Sequence, residues 1–320
     1  MEDVHEAARE VGRALTDALG EDLVALYLHG SAVLGGFLWE RSDLDLLALS
    51  RKELSDQQFG RVVGALVPLR YPGNGLEFTV MTAGEASQPA LPAPRFQLHL
   101  TTGGWHAVRN VVDGRPREGD RDLVLHLAVC RGHGEAIVGP PARSLLAALP
   151  EEAIVSAMRD EIAWARAHGP LEYLVLTAAR AWLFSSTHRI ASKIEAGLWA
   201  AAHDAEPAVI EAALARQRGV AVAIPTDAAE GFAERVERLT WRPQASECRD
   251  ALDATDGRAD GPDMGTSVTS RSVRRAEPGD YEAVSLLNRE VQRLHADAYP
   301  DLFKPPSDET MCRAAYDDLL

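Results

Sequence analysis

A chain of 320 residues with 46% hydrophobic side chains can bury sizeable cores, and its net charge of −15 excludes the basic stripe that nucleic-acid binding uses. No uninterrupted apolar run approaches a membrane span, and acids run through the first thirty residues where a leader would carry a basic segment and an apolar core. Cys130, Cys248 and Cys312 stand far apart in no metal-ligand spacing, so reduced thiols and a cytoplasmic location are expected.

Val4, Ala8, Val11, Leu15 and Leu19 form one apolar stripe, which predicts an amphipathic helix over residues 3–19. The run Leu23–Leu28 reads as a buried strand ending in His29-Gly30-Ser31. Ten residues separate Ser31 from Ser42-Asp43-Leu44-Asp45, where a second strand, 43–49, opens. Side chains alternate along a strand, so Asp43 and Asp45 share one face while Leu44 and Leu46 take the other. Two adjacent carboxylates repel each other, and hard oxygen ligands suit Mg²⁺ carried in on a nucleotide's phosphates. Gly30 lets a phosphate approach the backbone, and the Ser31 hydroxyl can hydrogen-bond its oxygens.

After the turn-rich Tyr71-Pro72-Gly73-Asn74-Gly75, the alternating segment Leu76–Met81 carries Glu77 near its start. If that strand joins the same sheet, Glu77 shares the acid face and serves as general base. Each signal alone has a bland counterpart: Gly-Ser as a turn, Asp-x-Asp as a strand end, a strand glutamate as a solvated residue. Their ordered combination in one strand-loop-strand-strand context is specific.

Downstream, Phe96–Leu100 reads as a strand, 121–130 as a helix before Gly132, and His126 and His133 as packing or surface histidines without a metal partner. From Pro150 the pattern is helical, over 151–167, 171–186, 192–203, 206–217 and 227–240, with Trp164, Trp182 and Trp199 filling a core. Ser192-Lys193-Ile194-Glu195 has the form of a capping box, which places Lys193 in a first helical turn, either solvated or forming a phosphate site with the helix N-terminus. Residues 242–272 are rich in Asp, Gly, Ser and Thr, as a flexible linker would be.

Leu28-His29-Gly30-Ser31, Ser42-Asp43-Leu44-Asp45-Leu46-Leu47 and Leu76-Glu77-Phe78-Thr79-Val80 resemble the streptomycin/spectinomycin-type aminoglycoside adenylyltransferases of the polymerase-β-like nucleotidyltransferase superfamily, and the likeness extends to about residue 245. The resemblance implies an α/β (α+β) catalytic domain with a mixed sheet over 1–145 and an all-α helical, substrate-binding bundle over 146–243. It implies Mg²⁺ on Asp43 and Asp45, with ATP as substrate held by Gly30, Ser31, Ser42 and Lys193. Glu77 would deprotonate a hydroxyl of an aminoglycoside or aminocyclitol, with metal ions about 3.5–4 Å apart stabilising the attacking and leaving oxygens. A small-molecule acceptor, no nucleic acid, no membrane and a monomer are expected.

The acceptor side departs from the family. Members carry acids just before the 171–186 helix and an aromatic soon after the Phe-Gln-Leu-type strand, whereas this chain has Ala167-His168-Gly169-Pro170 and Thr101-Thr102 there. Glu172 and Trp105 are the nearest substitutes, and each has a bland alternative: a first-turn acid favouring the helix dipole, and a packing aromatic. A linker over 244–271 leads to Ser272–Val284, which resembles the opening strand and helix of a GNAT-family N-acetyltransferase; the stretch 272–320 lacks that family's acetyl-CoA turn and is expected to be a disordered or partial α/β tail without that activity. Two rival functions keep the same acids: adenylylation of a protein hydroxyl, and a nucleotide-binding relic.

Overall fold

A computed structural model describes residues 2–103, 110–204 and 206–240. In chain order the elements are α1 (Glu2–Leu19), β1 (Leu23–Leu28), α2 (Gly30–Val33), β2 (Leu44–Ser50), α3 (Asp56–Leu66), β3 (Leu76–Thr82), α4 (Ala83–Ser87), β4 (Leu98–Thr102), β5 (Asn110–Asp113), α5 (Leu123–His133), β6 (Glu135–Val138) and α6 (Ala142–Leu145). The helices α7 (Glu151–His168), α8 (Leu171–Thr187), α9 (Lys193–His203), α10 (Ala208–Gln217) and α11 (Thr226–Thr240) follow. The described residues fall in one compact unit that includes both the sheet and these helices.

The six strands make one mixed sheet in the order β5-β4-β3-β2-β1-β6. Only β2 and β3 run parallel. Strand alternation divides the apolar residues between the two faces. Leu26, Leu28, Leu44, Leu46 and Phe78 pack under α1 and α3, with Val4, Ala8, Val11 and Leu15 of α1 meeting them. Ala25, Tyr27, Leu47, Leu49 and Met81 pack on the opposite face beneath Leu123, Leu127 and Cys130 of α5. The other side of α5, Val124, Leu125 and Ala128, belongs to a core shared with α7–α11. One helix therefore joins the sheet to the helical layer, and α8, apolar around much of its circumference, lies at the centre of that layer.

Several elements differ from the sequence expectation. The second strand starts at Leu44, with Asp43 just ahead of it, and the strand placed at Phe96 begins at Leu98. Gln97 instead bridges to the loop between β2 and α3, its side-chain oxygen accepting from the Leu54 N–H at 3.2 Å. The helix expected to stop before Gly132 runs to His133, after which the chain pairs at once with β1 as β6. Strands β5 and β6 are four residues each, too short for a period-two signal. A full capping box forms at Ser55–Gln58, worth about 1 kcal/mol at such a site. At Ser192 only half of one forms: Ser192 Oγ accepts from the Glu195 N–H at 3.1 Å, while the Glu195 carboxylate turns to Arg189.

Trp182 and Trp199 meet edge to face and pack against the helical core. Trp164 is 44% exposed and stacks on His168, so it is a surface aromatic rather than a core one. Among the described residues no helix is long and apolar enough to cross a membrane. The expected linker 244–271 and the GNAT-like stretch 272–320 lie outside the described residues.

Candidate active site

The site is built at one end of the β1-β2-β3 triplet. His29 follows β1, buried, and its N–H donates to the Asp45 carbonyl at 3.0 Å, tying the Gly30 turn to β2. Gly30 then takes φ +63°, a left-handed conformation that glycine adopts without steric cost. Closeness imposes a second reason for glycine here: a Cβ at this position would overlap the Asp45 carboxylate. The Ser31 N–H points at the same carboxylate, 3.4 Å from Oδ2. Ser31 Oγ is buried without a hydrogen-bond partner among the described residues, as a hydroxyl awaiting a ligand oxygen would be.

Register places the acids. Asp45 on β2 lies directly opposite Glu77 on β3 in the parallel pair, on the face that also carries Leu47 and Met81. Burial pushes the Asp45 carboxyl well above the usual carboxylate range, and the charges of Glu77 and Asp43 push it further. Such a group gains strongly from a cation. The start of β2 is held by the turn ahead of β3: Ser42 O accepts from the Asn74 N–H, and the Leu44 N–H donates to Gly75 O, both at 2.8 Å. Ser42 Oγ accepts from the Leu38 N–H at 2.9 Å, so this hydroxyl closes the Leu38–Ser42 turn.

Lys193 reaches the site from α9. Gly36, in the loop after α2, approaches Ser192 so closely that a Cβ there would sit 2.7 Å from the Ser192 Cβ, which sets the N-terminus of α9 beside the Gly30–Ser31 turn. The Lys193 ammonium stands 3.6 Å above the Tyr173 ring, whose hydroxyl donates to Glu161 Oε1 at 2.8 Å. Burial pulls the Lys193 pKa down to about 8, against the charge of Glu161 and, more weakly, of Asp45 and Glu77. Arg180 Nη1, 3.7 Å from the same Glu161 oxygen, adds a second cation to this wall.

Sequence reasoning set His126 aside as a packing or surface histidine without a metal partner. The structure corrects that reading: α5 carries His126 over the sheet, its Nε2 3.5 Å from Glu77 Oε1 and 3.2 Å from Asp122 Oδ2. Its ring lies 5.3 Å from that of His29. Burial would lower the His126 pKa, but the charges of Asp122 and Glu77 outweigh it and carry it up to about 10. Ligand atoms of Glu77, Asp122 and His126 all lie within 4.8 Å of one another, a set compatible with a metal ion. The Asp122-x-x-x-His126 spacing on one helix face was the available sequence signal; the partner strand was not.

Glu172 takes different partners. It lies buried in the first turn of α8, with Arg41 Nη1 3.5 Å from Oε1 and Arg216 Nε 3.3 Å from Oε2. Those arginines and residues 219–223 line a pocket of about 480 Å³. Its carboxylate faces two cations, and Oε2 is buried without a hydrogen-bond partner among the described residues. Trp105 lies outside the described residues.

A Gly-Ser turn over paired acids on a mixed sheet, with a helical layer supplying a lysine, defines a nucleotidyltransferase. Residues 144–240 match the profile described as "Aminoglycoside adenylyltransferase, C-terminal domain". The "Aminoglycoside (3'') (9) adenylyltransferase" of Klebsiella pneumoniae is 30% identical over 206 residues, 60% of this chain and 76% of that protein. The "Spectinomycin 9-adenylyltransferase" of Staphylococcus aureus is 29% identical over 201 residues, 59% of this chain and 74% of that protein. The chain belongs to the aminoglycoside adenylyltransferase family. The fold is also that of spectinomycin adenyltransferase AAD(9) from Enterococcus faecialis, solved with ATP and spectinomycin: TM-score 0.58 at 21% identity, covering 73% of this chain and 97% of that one.

Proposed function

We propose that this enzyme transfers AMP from ATP to a hydroxyl of an aminoglycoside or aminocyclitol of the streptomycin or spectinomycin type, releasing pyrophosphate. The observation that carries the chemistry is Asp45 set opposite Glu77 and packed against the glycine turn that precedes Ser31. The names of the relatives supply the acceptor class.

Asp43 and Asp45 would hold Mg²⁺, for which the buried carboxyl, the orphaned Ser31 hydroxyl and an all-oxygen donor set are suited. Bound there, the ion supplies charge neutralisation of the phosphates during displacement. Gly30 and Ser31 offer backbone and hydroxyl contacts to phosphate oxygens, and Lys193 closes the opposite side with its ammonium. Glu77 takes the proton of the attacking hydroxyl, which completes the nucleophile as pyrophosphate departs. The helices after residue 146 form the acceptor side, and residues 1–243 suffice for transfer.

The test is Mg²⁺-dependent pyrophosphate release from ATP with streptomycin and spectinomycin added separately, with Asp43→Asn as control. Release with either drug and none without it is the expected result. ATP binding with silence toward both drugs would overturn the acceptor assignment while leaving the nucleotide site standing.

A further inference from the structure

We infer that His126 is a positioning residue for the reaction: aligned by Asp122 on its own helix, it pins one oxygen of Glu77 so that the other faces the acceptor hydroxyl. This rests on the function proposed above, and it adds a residue that nothing in the Gly-Ser or Asp-x-Asp pattern announces.

The geometry supports the role in three ways. Glu77 sits one residue into β3, where the backbone is fixed on both sides by β2 and β4 but the side chain is 27% exposed and has several rotamers to choose from. His126 Nε2 stands 3.5 Å from one of its oxygens, Oε1, an ion-pair contact longer than a hydrogen bond, so the attraction of the ring favours the carboxylate orientation that turns Oε1 toward it. The imidazole in turn has little freedom. Asp122 Oδ2 holds the same nitrogen at 3.2 Å from one turn earlier, the His29 ring packs against it at a 55° tilt, and only 18% of the side chain is exposed. His29 is itself fixed by its backbone bond to Asp45, so the base and the proposed metal ligand share one rigid frame.

The chemistry assigned to that frame is balanced. As the acceptor oxygen attacks the α-phosphorus of ATP, its O–H bond breaks and the proton passes to Glu77 Oε2. The new O–P bond forms while the bond from the α-phosphorus to the bridging oxygen breaks, and pyrophosphate leaves with the electron pair. His126 neither gains nor loses a proton in this step. Its contribution is orientational, and a base held away from its near-attack position loses rate without losing substrate.

The experiment compares His126→Leu, His126→Gln and Asp122→Asn in steady-state pyrophosphate release, with ring ¹⁵N–¹H correlation spectra of the full chain as an activity-independent readout. His126→Leu is expected to lower kcat about 10–100-fold, a fraction of the full effect of a general base, with the KM for ATP within about twofold of wild type. His126→Gln, which keeps a donor near that position, recovers at least about tenfold if the loss is at the upper end. Asp122→Asn moves kcat in the same direction by less. In the spectra, the His126 ring signals shift in Glu77→Gln, as they must if the two groups are paired. A kcat for His126→Leu within twofold of wild type overturns the inference, as does a loss expressed equally in the KM for ATP. If His126→Leu does not fold, full activity of Asp122→Asn with unshifted His126 signals in Glu77→Gln overturns it. Should wild type release no pyrophosphate with either drug, the functional proposal fails, and the Glu77→Gln spectrum alone then decides whether the pairing exists.

Discussion

Substituting Gly30 by alanine separates backbone strain from the placement of Asp45. At φ +63° an L-residue adopts the left-handed conformation at a cost of about 1–2 kcal/mol, and the added methyl would also overlap Oδ2 and Cγ of Asp45. The overlap has no cheap relief, because Asp45 is held in β2 between β1 and β3, so its carboxylate must shift by on the order of an ångström, a displacement that costs about 10² in rate. Gly20 is the matched control: it has φ +56° with nothing within 4 Å of an added Cβ. From strain alone, Gly20→Ala should lower the melting temperature by about 2–8 °C and leave turnover intact. Gly30→Ala should match or exceed that loss of stability and also lose about a hundredfold in drug-dependent pyrophosphate release. Calorimetry and the release assay on both variants decide the matter. Equal rates for Gly30→Ala and Gly20→Ala would refute the claim that this turn and Asp45 form one site.

Asp45→Asn is expected to abolish transfer while the fold survives, since it removes a buried carboxyl already destabilised by Glu77 and Asp43; activity near wild type would reject Asp45 as a metal ligand. Glu77→Gln should reduce turnover about 10²-fold or more with ATP binding retained, read by single-turnover release beside equilibrium nucleotide binding. Because Lys193 titrates at about 8 in the fold against an ordinary 10.5, the folded state binds fewer protons between those values, so its share of stability rises with pH across that window. Melting curves should therefore show wild type gaining on Lys193→Met from about pH 8 to 10.5, while the KM for ATP climbs over the same range in wild type alone. A chain cut after residue 243 should retain the drug-dependent rate, since the described sheet and helices end at Thr240; loss of the rate with the tail would overturn that.

The strand and turn positions of the candidate site were legible in sequence because they follow from local rules. Reading 43–49 and 76–81 as strands set Asp45 and Glu77 on definite strand faces, and Gly30-Ser31 marked the turn between an apolar run and the acids. The amphipathic stripe of α1 and the helical punctuation after Pro150 likewise belong to single segments, so their spans were readable to within a few residues. What no segment contains is which strands become neighbours. Parallel pairing of β2 with β3 is a long-range choice, and it alone puts Asp45 opposite Glu77. The same packing brought His126 to Glu77 and Lys193 to the acid cluster, whereas it turned Glu172 into a buried partner of Arg41 and Arg216. Local spacing fixes which residues share a face, but the free energy of burying α5 between sheet and helices decides what that face meets. The residues that could do chemistry were thus set by sequence alone, and tertiary structure decided which of them stand together.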